Sequence, residues 1–163
     1  MFTAMIEAIL IGTGATVFLD VWSAARTRFS GTPMPDYGLV GRWLAYLPRG
    51  RFFHDAIAKS APIRGERMLG WVAHYAIGIA FAAILLALWG TEWARQPTLV
   101  PALIVGIGSV AAPFLLMQPG MGAGIAASRT PDPRAARLRS LTTHMVFGFG
   151  LYAAGWVASL LVV

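Results

Sequence analysis

The sequence predicts an all-α integral membrane protein. The expected fold is a four-helix bundle of two tandem two-helix units, with a short interfacial amphipathic helix in the first cytoplasmic loop. Three observations lead there. Of 163 residues, 57% are hydrophobic and only 12% charged, about half the charge of a soluble domain. Four apolar stretches reach the roughly 20 residues that a membrane-crossing helix needs. The basic side chains crowd into alternate connections. Disorder is excluded, because disordered chains are polar and poor in aromatics. The chain has no cysteine, so thiolate zinc sites, disulfides and cysteine nucleophiles are excluded too.

The chain reads as one membrane domain, 1–163, with spans at about 3–25, 69–90, 98–118 and 141–163. The first span holds Glu7 and Asp20, the second His74 and the fourth His144. The first stretch is read as a retained helix rather than a cleaved signal. Residues 1–6 carry no basic side chain, and Glu7 follows.

Orientation follows from the loops. The 26–68 loop holds eight basic residues, the 119–140 loop four, and the connection between spans two and three only Arg95. Basic loops stay in the cytoplasm, so both termini are expected on the outer side of the membrane. Twelve of the thirteen basic residues are arginine. No basic stripe recurs on a soluble helix, so nucleic acid is not an expected partner. Membrane lipids are. Trp22, Trp43, Trp71, Trp89 and Trp93 fall near span ends, where an aromatic belt belongs.

The first loop is not linker-like. Asp36 to Leu47 places Leu39, Trp43, Leu44 and Leu47 on one helical face, with Arg42 beside it. Such a segment next to a membrane lies in the interface. Thr32-Pro-Met-Pro breaks the helix before it. A second short segment, 52–60, is expected to lie flat as well.

Spans two and four share a pattern: Arg67, His74 and Gly78 have the same spacing as Arg137, His144 and Gly148. Gly12-Thr-Gly14 and Gly106-Ile-Gly108 correspond more loosely. This suggests a two-helix unit used twice, as parallel repeats about an axis along the membrane normal. Gly12, Thr16 and Asp20 form one stripe; His74, Gly78 and Ala82 form another; His144, Gly148 and Tyr152 form a third. Small residues let helix backbones approach closely in lipid.

Ionisable groups inside a span are costly and therefore point to function. Asp20, His74 and His144 each lie a few residues from the cytoplasmic end of their span, and Gln118 ends the third. At 1.5 Å per residue this is one layer, roughly 5–8 Å deep. Three uses are open. The layer suits a proton or small-ligand site, since histidine titrates near neutrality. His74 and His144 could ligate haem through neutral imidazoles. His74, His144 and Asp20 could bind a metal ion. Against these stands plain interhelical hydrogen bonding or snorkelling. Glu7 is read as a solvated helix end.

In 117–131 Gly120, Gly122 and Gly124 alternate, and Arg129 follows. Glycine backbone and an arginine suit an anion or lipid headgroup, while tight turning explains the glycines equally. No Gly-Lys-Ser/Thr follows, and no strand precedes, so neither nucleotide fingerprint applies. His54, Asp55 and Glu66, with Ser60 and Ser128 as hydroxyls, give no ordered hydrolase spacing.

The words Asp36-Tyr-Gly-Leu-Val-Gly-Arg-Trp, Pro48-Arg-Gly-Arg-Phe, Arg64-Gly-Glu-Arg, Trp71-Val-Ala-His-Tyr-Ala-Ile-Gly78, 118–131 and Thr143-His-Met-Val-Phe-Gly148 resemble a bacterial inner-membrane family catalogued only as domain of unknown function 2938. The resemblance covers nearly the whole chain. It implies a four-helix inner-membrane protein and no catalytic or binding residue. The expected role is non-enzymatic: binding or moving a small solute or proton, with a homo-oligomer widening the pathway. An accessory subunit of a larger membrane complex and a bis-histidine haem carrier are the alternatives. A lipid-modifying enzyme lacks a nucleophile or metal cluster.

Overall fold

Helix starts and stops follow local chemistry. The protein is described by a computed structural model covering residues 2–161. α1 runs Phe2–Ser30. It stops where Gly31 turns left-handed (φ +67) and Thr32-Pro forbids another turn. Thr27 Oγ1 closes that end, donating toward the carbonyls of Ser23 (3.0 Å) and Thr32 (2.8 Å). α2 spans Tyr37–Tyr46, with the Asp36 carboxylate capping the Gly38 N–H at 2.9 Å.

α3, Glu66–Trp89, begins where the Glu66 carboxylate accepts from the Ile63 N–H at 2.8 Å, and ends at Gly90 (φ +77). A short α4, Glu92–Arg95, leads to α5, Leu99–Gly108. The Trp93 indole donates to the Thr98 carbonyl at 3.1 Å and ties this turn. A π-helical turn follows at Pro113–Met117, in which the Gln118 N–H reaches back to the Pro113 carbonyl. Proline, lacking an N–H and crowding the preceding turn, favours that widening. α6 is Gln118–Met121. α7, Pro133–Leu161, starts with Asp132 capping the Ala135 N–H at 3.0 Å and proline in the first turn.

No strand occurs among the described residues. Four helical stretches are long and apolar enough to cross a membrane: Thr3–Ser30, Glu66–Trp89, Leu99–Met121 and Pro133–Leu161. α1 and α7 overrun the apolar windows expected from sequence by several residues, because nothing in 26–30 or 133–140 breaks a helix.

The chain divides into two compact units. One comprises Met1–Met34, Tyr75–Ser109 and Thr142–Val163. Its core is small and aliphatic: Ile11, Ala15, Ala82, Leu85, Ala102 and Leu151 are fully enclosed. Lipid offers no hydrophobic drive to bring helices together, so close packing must do so. Glycine permits it. A Cβ at Gly12 would overlap the Ile79 backbone, and one at Gly78 would strike the Thr16 hydroxyl. A Cβ at Gly106 would overlap the Gly148 backbone. Gly150 meets Ala15, and Gly14 meets Ala154.

The second unit comprises Pro35–His74 and Val110–Leu141. Here the buried face of α2 is Gly38, Gly41 and Tyr46. Leu39, Trp43, Leu44 and Leu47, expected to be its apolar face, are half-buried. The reason is backbone contact: a side chain at Gly41 would overlap Glu66 and Gly70, and one at Gly70 would overlap Tyr37. Segment 52–55 lies along the turn after α6. The His54 N–H donates to the Gly120 carbonyl at 2.9 Å, and the Trp43 indole donates to the Phe52 carbonyl at 3.0 Å.

Candidate functional site

Helix crossings position the intramembrane polar groups. In the first unit, α5 carries Ser109 one turn past Gly106, where α7 comes closest. The Ser109 hydroxyl donates to the Gly106 carbonyl at 2.6 Å, and its oxygen lies 2.6 Å from Nδ1 of His144. Ser109 has one proton to give. With that proton on the Gly106 carbonyl, Ser109 Oγ accepts from Nδ1–H. In its neutral form His144 is then the Nδ1–H tautomer, with the lone pair on Nε2. In the same unit the Tyr75 hydroxyl donates to the Asp20 carboxylate at 3.0 Å. Thr16 and Ser23 are buried on the same side of α1.

The other two expected site residues belong to the second unit. His74 stacks on the Tyr37 ring (centroids 4.1 Å apart, planes at 26°), with Trp71 edge-on at 5.8 Å. Gln118 Nε2 lies 3.5 Å from Ser140 Oγ, while its Oε1 is buried without a partner. Asp20, His74, Gln118 and His144 thus each have a partner of their own. Among the described residues, no group of three or more His, Asp or Glu side chains is gathered as a metal ion needs.

Glu7 corrects an expectation. It is 4% exposed rather than solvated, and its Oε2 has no hydrogen-bond partner. Helical periodicity puts it one heptad before Gly14, on the stripe of α1 that meets α7.

The glycine-rich turn is built by close contact. A Cβ at Gly120 would strike the Trp43 indole, and one at Gly122 (φ +96) would overlap the Asp55 carbonyl. The N–H groups of Gly122, Ala123, Ser128 and Arg129 close the turn internally. Gly124 is buried beside Ser128 and Arg129. Ala126 and Ala127 are left-handed, at φ 47 and 59, and Arg137 Nε holds the Ala126 carbonyl at 2.8 Å.

Beside this turn is a polar cluster that spacing did not assemble. Arg42 pairs with Glu66 through two parallel bonds, Nε–Oε2 at 2.8 Å and Nη2–Oε1 at 2.6 Å. Its Nη1 also donates to the carbonyl of Ser60 at 3.0 Å. The hydrogen-bonded Glu66 carboxylate raises the Arg42 pKa. His54, 6% exposed, places Nδ1 3.0 Å from Ser60 Oγ. Burial and then the charge of Arg51 push its pKa down. Among the described residues no carboxylate hydrogen-bonds this imidazole, and its Nε2 is without a partner, so the pair lacks the third member of a nucleophilic triad. The signal for the cluster was Arg42 lying beside, rather than opposite, the apolar face of α2.

Neither the curated proteins nor the solved structures give a match to this chain. A family model does, over residues 9–158, and its description is protein of unknown function (DUF2938). Four of the chain's own helical stretches are long and apolar enough to cross a membrane, and because the match covers most of the chain, the protein belongs to this family of unknown function.

Proposed function

We propose that this is a non-enzymatic protein of the bacterial inner membrane that binds or moves a proton, or a small solute with it, by way of intramembrane polar groups near the cytoplasmic face, Asp20 and His144 in one unit and His74 and Gln118 in the other. The observation that carries the reading is the His144–Ser109 contact. A histidine held as the Nδ1–H tautomer presents Nε2 as a base inside a span. Asp20, with the Tyr75 hydroxyl on its carboxylate, adds a second ionisable group within the same unit. Ionisable groups kept in a span mark ion or proton paths.

Both termini are periplasmic in this reading, because the 26–68 and 119–140 loops hold twelve of the thirteen basic residues. Tandem duplication is supported by the matched crossings: Gly12 against Gly78 and Gly106 against Gly148. In each, a hydroxyl on the first helix donates to the crossing glycine's carbonyl, Thr16 at 2.7 Å and Ser109 at 2.6 Å. Gly120, Gly122, Gly124 and Arg129 shape the cytoplasmic turn, where Arg129, exposed, is the anion-facing group.

Proteoliposomes with an internal pH dye and an imposed potential test the reading. Proton entry by the wild type, reduced at least tenfold in Asp20→Asn and His144→Gln, is the expected result. A silent wild type overturns it. Visible absorbance of the same preparation tests haem on His74 and His144. Single cysteines placed in 26–68 or 91–97 report sidedness, since the chain has none of its own.

A second reading, an accessory subunit of a larger complex, is favoured by one feature. At Gly108 nothing lies within 4 Å of an added Cβ, and Ile104 and Ile107 beside it are exposed. Small residues on an open helix face admit another helix. A stoichiometric partner copurifying from native membrane, and lost in Gly108→Leu, is the expected sign.

A further inference from the structure

Outside these groups, the end of α2 gathers positive charge. α2 runs into a 3-10 turn at Leu47–Arg49 and stops at Gly50, whose φ is +73. The Gly50 N–H donates to the Leu47 carbonyl (3.0 Å) and the Arg51 N–H to the Tyr46 carbonyl (3.2 Å). This is the Schellman closure of a helix end. Folding back this way sets two arginines over one ring. The guanidinium carbons of Arg49 and Arg51 lie 5.5 and 5.3 Å from the centroid of Tyr46. The ring is fixed, since Tyr46 is buried and its hydroxyl donates to the Ala61 carbonyl at 3.0 Å. Neither arginine has a carboxylate partner among the described residues. Two like charges on one platform call for an anion.

The next two residues say which kind. Phe52 is 57% and Phe53 74% exposed. They are tied to the end of a spanning stretch, because the Phe52 carbonyl accepts from Trp43 and the His54 N–H donates to Gly120. Gly120 lies in the last turn of Leu99–Met121, where Leu115 and Leu116 are also exposed. Aromatic rings at a span end sit at headgroup level, and a basic cluster there attracts anionic lipid. A soluble anion has no use for the two phenylalanines.

We propose that Arg49 and Arg51 bind the phosphate of an anionic phospholipid, with Phe52 and Phe53 against the start of its acyl chains. The site uses none of the residues proposed above for the proton and does not depend on that reading.

The test uses the whole protein, delipidated in mild detergent and offered phosphatidylglycerol or phosphatidylcholine of equal chain length. Retained lipid is counted by native mass spectrometry. The wild type is expected to retain phosphatidylglycerol over phosphatidylcholine. Arg49→Gln with Arg51→Gln lowers that retention roughly thirtyfold, and either alone about fivefold. Phe52→Ala with Phe53→Ala weakens both lipids while keeping the preference. Equal retention of the two lipids overturns the proposal, as does unchanged retention in the arginine variants. Displacement of phosphatidylglycerol by millimolar inorganic phosphate marks a soluble-anion site and overturns it as well. An unchanged melting midpoint shows that the variants are folded.

Discussion

Nδ1 of His144 lies 2.6 Å from the hydroxyl oxygen of Ser109, one helix turn from where Gly106 and Gly148 touch. Ser109→Ala removes that partner from a partly buried imidazole. The expected loss is about 1–2 kcal/mol, read as a lower unfolding midpoint in detergent. Ser109→Thr keeps the oxygen and regains part of it. Ser159→Ala, on an exposed hydroxyl bonded only to its own helix, is expected to change the midpoint little.

The crossings predict a graded glycine series. Alanine at Gly12 or Gly106 forces the partner backbone away and is expected to cost about 1–3 kcal/mol. Alanine at Gly108, where there is open space, is expected to be neutral or slightly stabilising, since alanine is the better helix former. Equal midpoints for all three variants would show that the helices do not cross there.

Arg42 and Glu66 are predicted to be strongly coupled. Both are largely buried and joined by two short bonds. Arg42→Ala leaves a buried carboxylate behind, at a cost of about 2–3 kcal/mol. Glu66→Gln keeps the shape and costs less. A double-mutant cycle is expected to give a coupling above about 1 kcal/mol. The exposed Glu92–Arg95 pair, 3.3 Å apart, is expected to show almost none.

Acid is expected to loosen the loop unit through His54. Its pKa is lowered by burial and by Arg51, so the unfolded chain takes up a proton before the folded one does. Stability is complete above the ordinary histidine value of about 6.5. It falls as the pH drops from there to the lowered folded value. Limited proteolysis of 52–60 across pH 5–8 reads this directly. His54→Asn removes the pH slope in that window. An unchanged slope in the variant would assign it to other groups.

Gly122 and Ala126 are predicted to respond in opposite directions. Gly122→Ala meets both a left-handed backbone and the Asp55 carbonyl, and costs about 2 kcal/mol or more. Ala126→Gly relieves a left-handed alanine and is expected to gain up to about 1 kcal/mol after the entropy of glycine is subtracted.

Most of the helical framework was legible in the sequence, because apolar run length is a strong signal in a chain with so few charges. Gly12, Gly78 and Gly148 as contact residues were readable from type and spacing. What could not be read was which face of α2 is buried. The leucines and Trp43 dominate its periodicity, yet Gly38 and Gly41 make the backbone contacts, and glycine adds nothing to an apolar stripe. Glu7 was misread because distance from a helix end says nothing about rotation. Ser109, Tyr75 and Tyr37 are ordinary-looking residues whose importance comes only from the imidazole or carboxylate that the packing brings to them. Arg42 and Glu66 stand 24 positions apart, and no local rule relates residues at that separation.

Thr16 holds one last consequence. Its hydroxyl is satisfied by the Gly12 carbonyl of its own helix, so toward Gly78 it offers a shape and no bond. That single contact between α1 and α3 therefore answers to volume and not to acid or salt, although one turn on the Tyr75 hydroxyl joins the same two helices through the Asp20 carboxylate. The joint of Arg42, Glu66 and His54 is made of charge and protons. One chain thus carries a fastening that ignores the chemistry of its surroundings and another that registers it.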